Sequence, residues 1–197
     1  MDPNPLDESV DLYTTALLRA AQMFSQAADE MASPRQRPSE WIQKNFWIPR
    51  PRDPETGVVL PPGPIILADH QRRLVDEALS VDERGRFRYV TIVYSAPKKS
   101  GKSAIAAAVA NYLAETIDYA RIYCLANDGK GAADRLYNPI RTNYILQRAH
   151  GGPLRDVHPN LIDLTIPRNQ SKIEAIPCDA AGEAGAEPTG VFISEAW

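Results

Sequence analysis

The sequence predicts an α/β fold, a mostly parallel sheet covered by helices. Three observations predict it. Residues 89–94 (YVTIVY) are β-branched or aromatic throughout and read as a buried strand. They run through the turn SAPKKS into Gly101-Lys102-Ser103, which opens the strongly helix-forming run AIAAAVANYLAETI. Residues 121–126 (RIYCLA) repeat the pattern, with a turn at Asn127-Asp128-Gly129 and a helix expected over about 131–148. The apolar run GVFISEAW, residues 190–197, supplies a further strand. Alternating strands and helices of this kind build parallel sheets.

The first unit carries chemistry. Strand, small-residue loop, GKS and helix are the parts of a phosphate-binding loop, so the expected fold is the three-layer one of P-loop NTPases. The loop is Ala96, Pro97, Lys98, Lys99, Ser100, Gly101, Lys102 and Ser103, with Ala96 where the usual pattern has its first glycine. Backbone N–H groups and the helix N-terminus suit the β-phosphate of ATP. Lys102 is placed for the β- and γ-phosphates, and the Ser103 hydroxyl for Mg²⁺. The competing reading is an ordinary strand–turn–helix with exposed lysines.

Composition is that of a soluble globular protein: 197 residues, 44% hydrophobic, 24% charged, net charge −3. The charge is uneven. Residues 34–104 carry 13 Lys/Arg against 8 acids, whereas residues 1–33 carry 1 against 6. A basic segment around the loop suits a polyanion or is a solvated face. Cys124 and Cys178 lack metal-ligand spacing and read as buried free thiols. No signal peptide or membrane-length apolar run is visible, so a cytoplasmic location without membrane contact is expected.

Taken in order, residues 6–31 place apolar side chains at a helical period, an acidic N-terminal helix within a first segment 1–33. Residues 33–64 hold eight of the 17 prolines, so 34–64 reads as a Pro-rich linker. Inside it, residues 40–48 (EWIQKNFWI) suggest a short helix whose Trp41, Phe46 and Trp47 either anchor the segment to the core or stack on bases. The third segment, 65–197, is the expected nucleotide-binding domain. It begins with ILADHQ and the helix RRLVDEALS. Gln71, thirty residues before the loop, is either a surface helix residue or a reader of adenine, because an amide both donates and accepts. His70 reads as packing or exposed. Residues 161–166 and 172–176 suggest a hairpin around Arg168-Asn169-Gln170-Ser171, and 180–188 a Gly/Ala/Glu loop. In the closing run, an apolar strand ending in an acid is the Walker B pattern. Its Asp place is Ser194 and its Glu place is Glu195.

Together these pieces resemble the N-terminal ATPase part of the large terminase subunit of tailed phages and prophages, the motor that drives DNA into capsids. The matching stretches are Leu67 to Gln71, SAPKKSGKS, RIYCLAND, SKIEAIPCDAAGEAGAEPTG and VFISEAW, covering about residues 40–197. The resemblance implies ATP and Mg²⁺ as cofactors, with adenine read by Gln71. Lys102 and Ser103 would hold phosphate and metal, and Lys98 would face the γ-phosphate. Glu195 would be the catalytic carboxylate, and Ser194 would stand where a metal-binding Asp is usual. It implies as partners double-stranded DNA bound without sequence preference, a small terminase subunit, a portal protein and further copies in a ring. Arg84, Arg86, Arg88, Arg168 and Lys172 are the candidate DNA contacts. Relatives continue into a coupling motif, whose strand lies between the phosphate-loop and Walker B strands, and then a nuclease domain. The expected fold is therefore incomplete on the C-terminal side, with a vacant central strand position. The alternatives are a helicase-like P-loop ATPase and a nucleotide-binding remnant that does not hydrolyse.

Overall fold

A computed structural model of the chain describes residues 37–126, 133–177 and 187–193. The expected N-terminal helix, the 127–129 turn, Cys178, most of the Gly/Ala/Glu loop, and Ser194 with Glu195 lie outside these residues. Helix α1, Pro38–Asn45, opens with proline at its start, where a missing N–H is harmless. Strands β1 (Trp47–Ile48) and β2 (Gly63–Pro64) pair antiparallel. Helix α2 is Asp69–Ala78 and helix α3 is Lys102–Thr116. Strand β3, Arg121–Ala126, coincides with the predicted strand. A π-helical turn, Ala133–Tyr137, then leads into helix α4, Asn138–His150. Strands β4 (Asp163–Ile166), β5 (Ser171–Pro177) and β6 (Gly190–Ile193) follow.

The architecture is mixed α/β around a mostly parallel four-stranded sheet in the order β4-β5-β3-β6. Strand β3 is parallel to both neighbours, pairing Ile122 with Ile173 of β5 and Cys124 with Phe192 of β6. Strands β4 and β5 form the predicted hairpin, with Leu164 opposite Ile173.

Helix α3 sits at the centre. It packs on β3, β5 and β6 and also on α1 and α4. Its alanines allow this, because Ala107, Ala108, Ala110 and Ala114 let neighbours approach closely and are fully buried. A helix with apolar residues spread around most of its circumference belongs inside. Trp41 and Phe46 of the stretch 40–48 pack on the core. Phe46 and Ile42 are completely buried, Trp41 packs edge-on against Tyr112, and Trp47 lies over His150. Residues 37–64 thus belong to the same compact unit as the chain that follows. Cys124 is a buried free thiol, and burial pushes its pKa up to about 12.

One expectation is overturned. Residues 89–94 form no strand and are not buried: Val90 is 101% exposed and Val93 89%. The physical reason is pairing. β-Branched residues favour a strand only where a neighbour supplies hydrogen bonds and a packing surface. Among the described residues the outer edge of β6 stays unpaired and 89–94 bonds to no strand, so these side chains gain neither a ladder nor a sheet's packing surface.

Polar groups buried along α3 meet partners on the neighbouring helix and in the β4–β5 turn. Asn111 donates to the Tyr144 hydroxyl, which donates to Glu115 Oε1 at 2.7 Å. Asn143 Nδ2 donates to Asn111 Oδ1 at 3.1 Å. Gln147 donates to Asn143 and to the Asn45 carbonyl, both at 2.7 Å. Glu115, wholly buried, also pairs with Arg168 of the β4–β5 turn. Burial holds the Tyr144 phenol far above its ordinary pKa, so it remains a donor at any working pH. Tyr144→Phe strips a partner from both Asn111 and Glu115 and should destabilise the fold by about 1–3 kcal/mol. Urea denaturation would check this; an unchanged midpoint would mean that the network is not load-sharing.

Candidate functional site

The orientation of α3 decides where its loop lies. A Cβ at Gly190, the start of β6, would approach Leu113 Cδ1 at 3.4 Å. The carbonyls of Ala114 and Ile117 accept from Asn169, just before β5, and Ala120 leads directly into β3. The C-terminal end of α3 therefore lies at the N-terminal ends of three parallel strands. The helix runs against them, and its N-terminus emerges at their C-terminal edge. That edge is where open α/β sheets place their ligands.

The loop leading to α3 is shaped by backbone. Lys99 and Gly101 both adopt left-handed conformations, with φ of 68° and 85°. Ser100 N–H bonds back to the Pro97 carbonyl at 3.3 Å. Left-handed residues in a tight turn draw successive N–H groups towards one concavity, an arrangement suited to anions. Gly101 is also the N-cap of α3, and no side chain caps the helix. The first-turn N–H groups therefore have no acceptor within the helix, at its partly positive end.

Three lysines surround this helix end. Lys98 and Lys99 are exposed, and none of the three forms an ion pair among the described residues. Lys102 folds back along the loop, and its Nζ donates to the carbonyls of Ala96 at 2.6 Å and Pro97 at 3.0 Å. Ser103 is exposed in the first turn of α3. The Ser100 hydroxyl is buried without a hydrogen-bond partner.

Gln71, thirty residues away in sequence, meets the same loop. It is the third residue of α2, and its Oε1 accepts from the backbone N–H of Ala68 at 2.9 Å. This is the glutamine half of a capping box; Ala68 has no oxygen to complete the other half. Gln71 Nε2 donates to the Ser100 carbonyl at 3.1 Å. His70 beside it is exposed.

The structure thus brings together Gln71 and Ala96, Pro97, Lys98, Lys99, Ser100, Gly101, Lys102 and Ser103. Strand β6 ends at Ile193 on the same edge of the sheet, immediately before the Ser194 and Glu195 positions. Of the arginines and lysine singled out in the sequence, three are paired: Arg86 with Asp82 at 2.9 Å, Lys172 with Glu174 at 2.6 Å, and Arg168 with Glu115. Arg84 and Arg88 have no ion pair among the described residues. Sequence reasoning missed the contact of Gln71 with the loop backbone; its only signal was Gln three residues after an N-cap position. Compared with models of protein families and with curated proteins, the chain matches none.

Gly101 generates a direct test. A Cβ there meets only Gln71 Nε2, at an ordinary 3.7 Å, so space is not limiting but the positive φ is. Gly101→Ala should lower stability by about 1–2 kcal/mol. Thermal or urea denaturation measures it; no change would rule out a left-handed Gly101.

Proposed function

We propose that this chain binds ATP with Mg²⁺ through the loop 96–103. We further propose that it is the ATPase part of a viral DNA-packaging motor of the large-terminase kind, coupling hydrolysis to movement along double-stranded DNA. The observation that carries the nucleotide reading is the N-terminus of α3 without a side-chain cap, preceded by two left-handed loop residues and lined by three lysines that have no carboxylate partner among the described residues. An anion is the ligand that such donors and charges suit. The terminase reading rests on the order and spacing of the sequence motifs.

The residues present fit a nucleotide triphosphate. Loop and first-turn N–H groups are available to phosphate oxygens, and Lys102 has its ammonium on the loop. The exposed Ser103 hydroxyl would hold Mg²⁺, with Ser194 beyond β6 as a second oxygen donor. The metal would neutralise charge on the phosphates. Glu195 would orient and deprotonate a water, and Lys98 would face the terminal phosphate. Gln71 retains one N–H and one oxygen lone pair for adenine. A further subunit in a ring, a small terminase subunit and a portal protein would complete such a motor.

A second reading, nucleotide binding without turnover, draws on a specific observation. Residues 89–94 lead into the loop largely exposed and pair with no strand, so among the described residues no ladder fixes the loop's leading edge. Steady-state phosphate release separates the two readings.

Lys102→Ala should abolish binding of a fluorescent ATP analogue and any phosphate release; equal affinity in variant and wild type would sink the assignment. DNA contact should be independent of sequence and fall steeply with salt, as phosphate contacts do. Arg84→Ala with Arg88→Ala should flatten that salt dependence by about two units of slope. Binding that survives high salt, or that prefers particular bases, would contradict it.

A further inference from the structure

The Gln71 amide is held at both ends. Its oxygen takes the Ala68 N–H at 2.9 Å, and its nitrogen donates to the Ser100 carbonyl at 3.1 Å. With a donor on one side and a carbonyl on the other, the orientation of the amide is fixed by its partners. Ser100 sits between the two left-handed residues, Lys99 and Gly101. Its carbonyl belongs to the Ser100–Gly101 peptide, which is trans, as are the peptide bonds among the described residues. In a trans peptide the C=O and the N–H point in opposite directions. Holding the Ser100 carbonyl towards α2 therefore turns the Gly101 N–H away from α2.

That peptide can turn at little backbone cost. Glycine tolerates positive and negative φ alike, so rotation of the Ser100–Gly101 plane is resisted by little in the backbone. The turned form would aim a carbonyl oxygen where the N–H had pointed, and an anion would meet a negative dipole in place of a donor. No strand holds the preceding segment, because residues 89–94 pair with nothing in the sheet. The tie to Gln71 is the contact that selects the orientation.

We propose that Gln71 is a positioning residue for the phosphate loop: it latches the Ser100–Gly101 peptide so that the loop accepts a polyphosphate, whatever base that polyphosphate carries. This rests on the phosphate-loop reading and adds to Gln71 a role separate from adenine recognition. A base reader changes the preference between nucleotides. A latch changes affinity for all of them, and for a polyphosphate with no base.

Tripolyphosphate, ATP and GTP are the probes, titrated calorimetrically against the whole chain. Gln71→Met keeps the length of the side chain and removes both hydrogen bonds. It should weaken all three ligands by a similar factor, about 3- to 10-fold, the loss that goes with one such bond. Amide exchange should quicken across residues 98–104 and stay unchanged across 107–116, which marks a released loop in a folded protein. Should the variant lose protection throughout, Ala68→Pro takes its place. Ala68 already has φ −65° and ψ 160°, which proline accepts, and the change removes only the N–H that fixes Gln71 Oε1. It should weaken tripolyphosphate in the same way, by a smaller factor. Unchanged tripolyphosphate affinity in the folded variant overturns the latch, and a collapse of ATP-over-GTP preference alone would assign Gln71 to the base. If the wild-type chain binds neither tripolyphosphate nor ATP, the phosphate-loop reading itself falls and the latch with it.

Discussion

Everything in this fold depends on burying α3, a helix that carries two polar side chains into the core. Asn111 and Glu115 lie on it, both buried. An unpaired buried carboxylate costs several kcal/mol, so the helix is admissible only where partners meet it. Tyr144 and Asn143 of α4 and Arg168 of the hairpin turn are those partners. These bonds have direction. They fix the rotation of α3 about its axis and its position along the strands, which apolar contacts between alanines would leave loose.

A helix fixed in this way fixes its own N-terminus, and with it the loop. The Lys102 ammonium rests on two backbone carbonyls, Ala96 and Pro97. These are neutral acceptors. The ammonium already makes charge-assisted bonds to them, but a phosphate would add the attraction of a full opposite charge. A phosphate at the helix end would therefore compete well for this lysine, and the lysine has to travel only across the loop. In the proposed function, the side chain that closes the loop would also be the one to hold the phosphate.

The parts legible in the sequence were those whose cause is local. Arg121–Ala126 was readable to the residue, because a continuous apolar strand bounded by polar residues needs no distant information. The start of α3 and the β4–β5 hairpin were readable for the same reason. Residues 89–94 were misread, since their composition states a preference for a strand and says nothing about whether a neighbour exists. The network of Asn111, Glu115, Asn143 and Gln147 was invisible. A polar residue in a helical period is assigned to water, and only the packing of α3 against α4 turns those faces inward. Gln71 falls between: its spacing before the loop drew attention to it, but its bond to the Ser100 carbonyl is tertiary.

The misread strand and the missed bond are connected. Where a strand runs into a phosphate loop, ladder hydrogen bonds set the direction of entry and the loop inherits its order from the sheet. Here the entering segment pairs with no strand, and order comes from side chains, beginning with Tyr94, half-buried against the core. Two side chains bond to the loop backbone itself, Lys102 from within the loop and Gln71 from α2. They are not equivalent. An anion would draw Lys102 off its carbonyls, so that tie is surrendered on binding. Gln71 contacts the Ser100 carbonyl from α2, an acceptor for which an anion would not compete, so its tie would persist through binding. A loop without strand support therefore relies on α2 for the part of its shape that must survive ligation, and α2 is in turn tied to the core through Val75 and through Asp76, which accepts from the backbone and hydroxyl of Ser39 at 2.9 Å each.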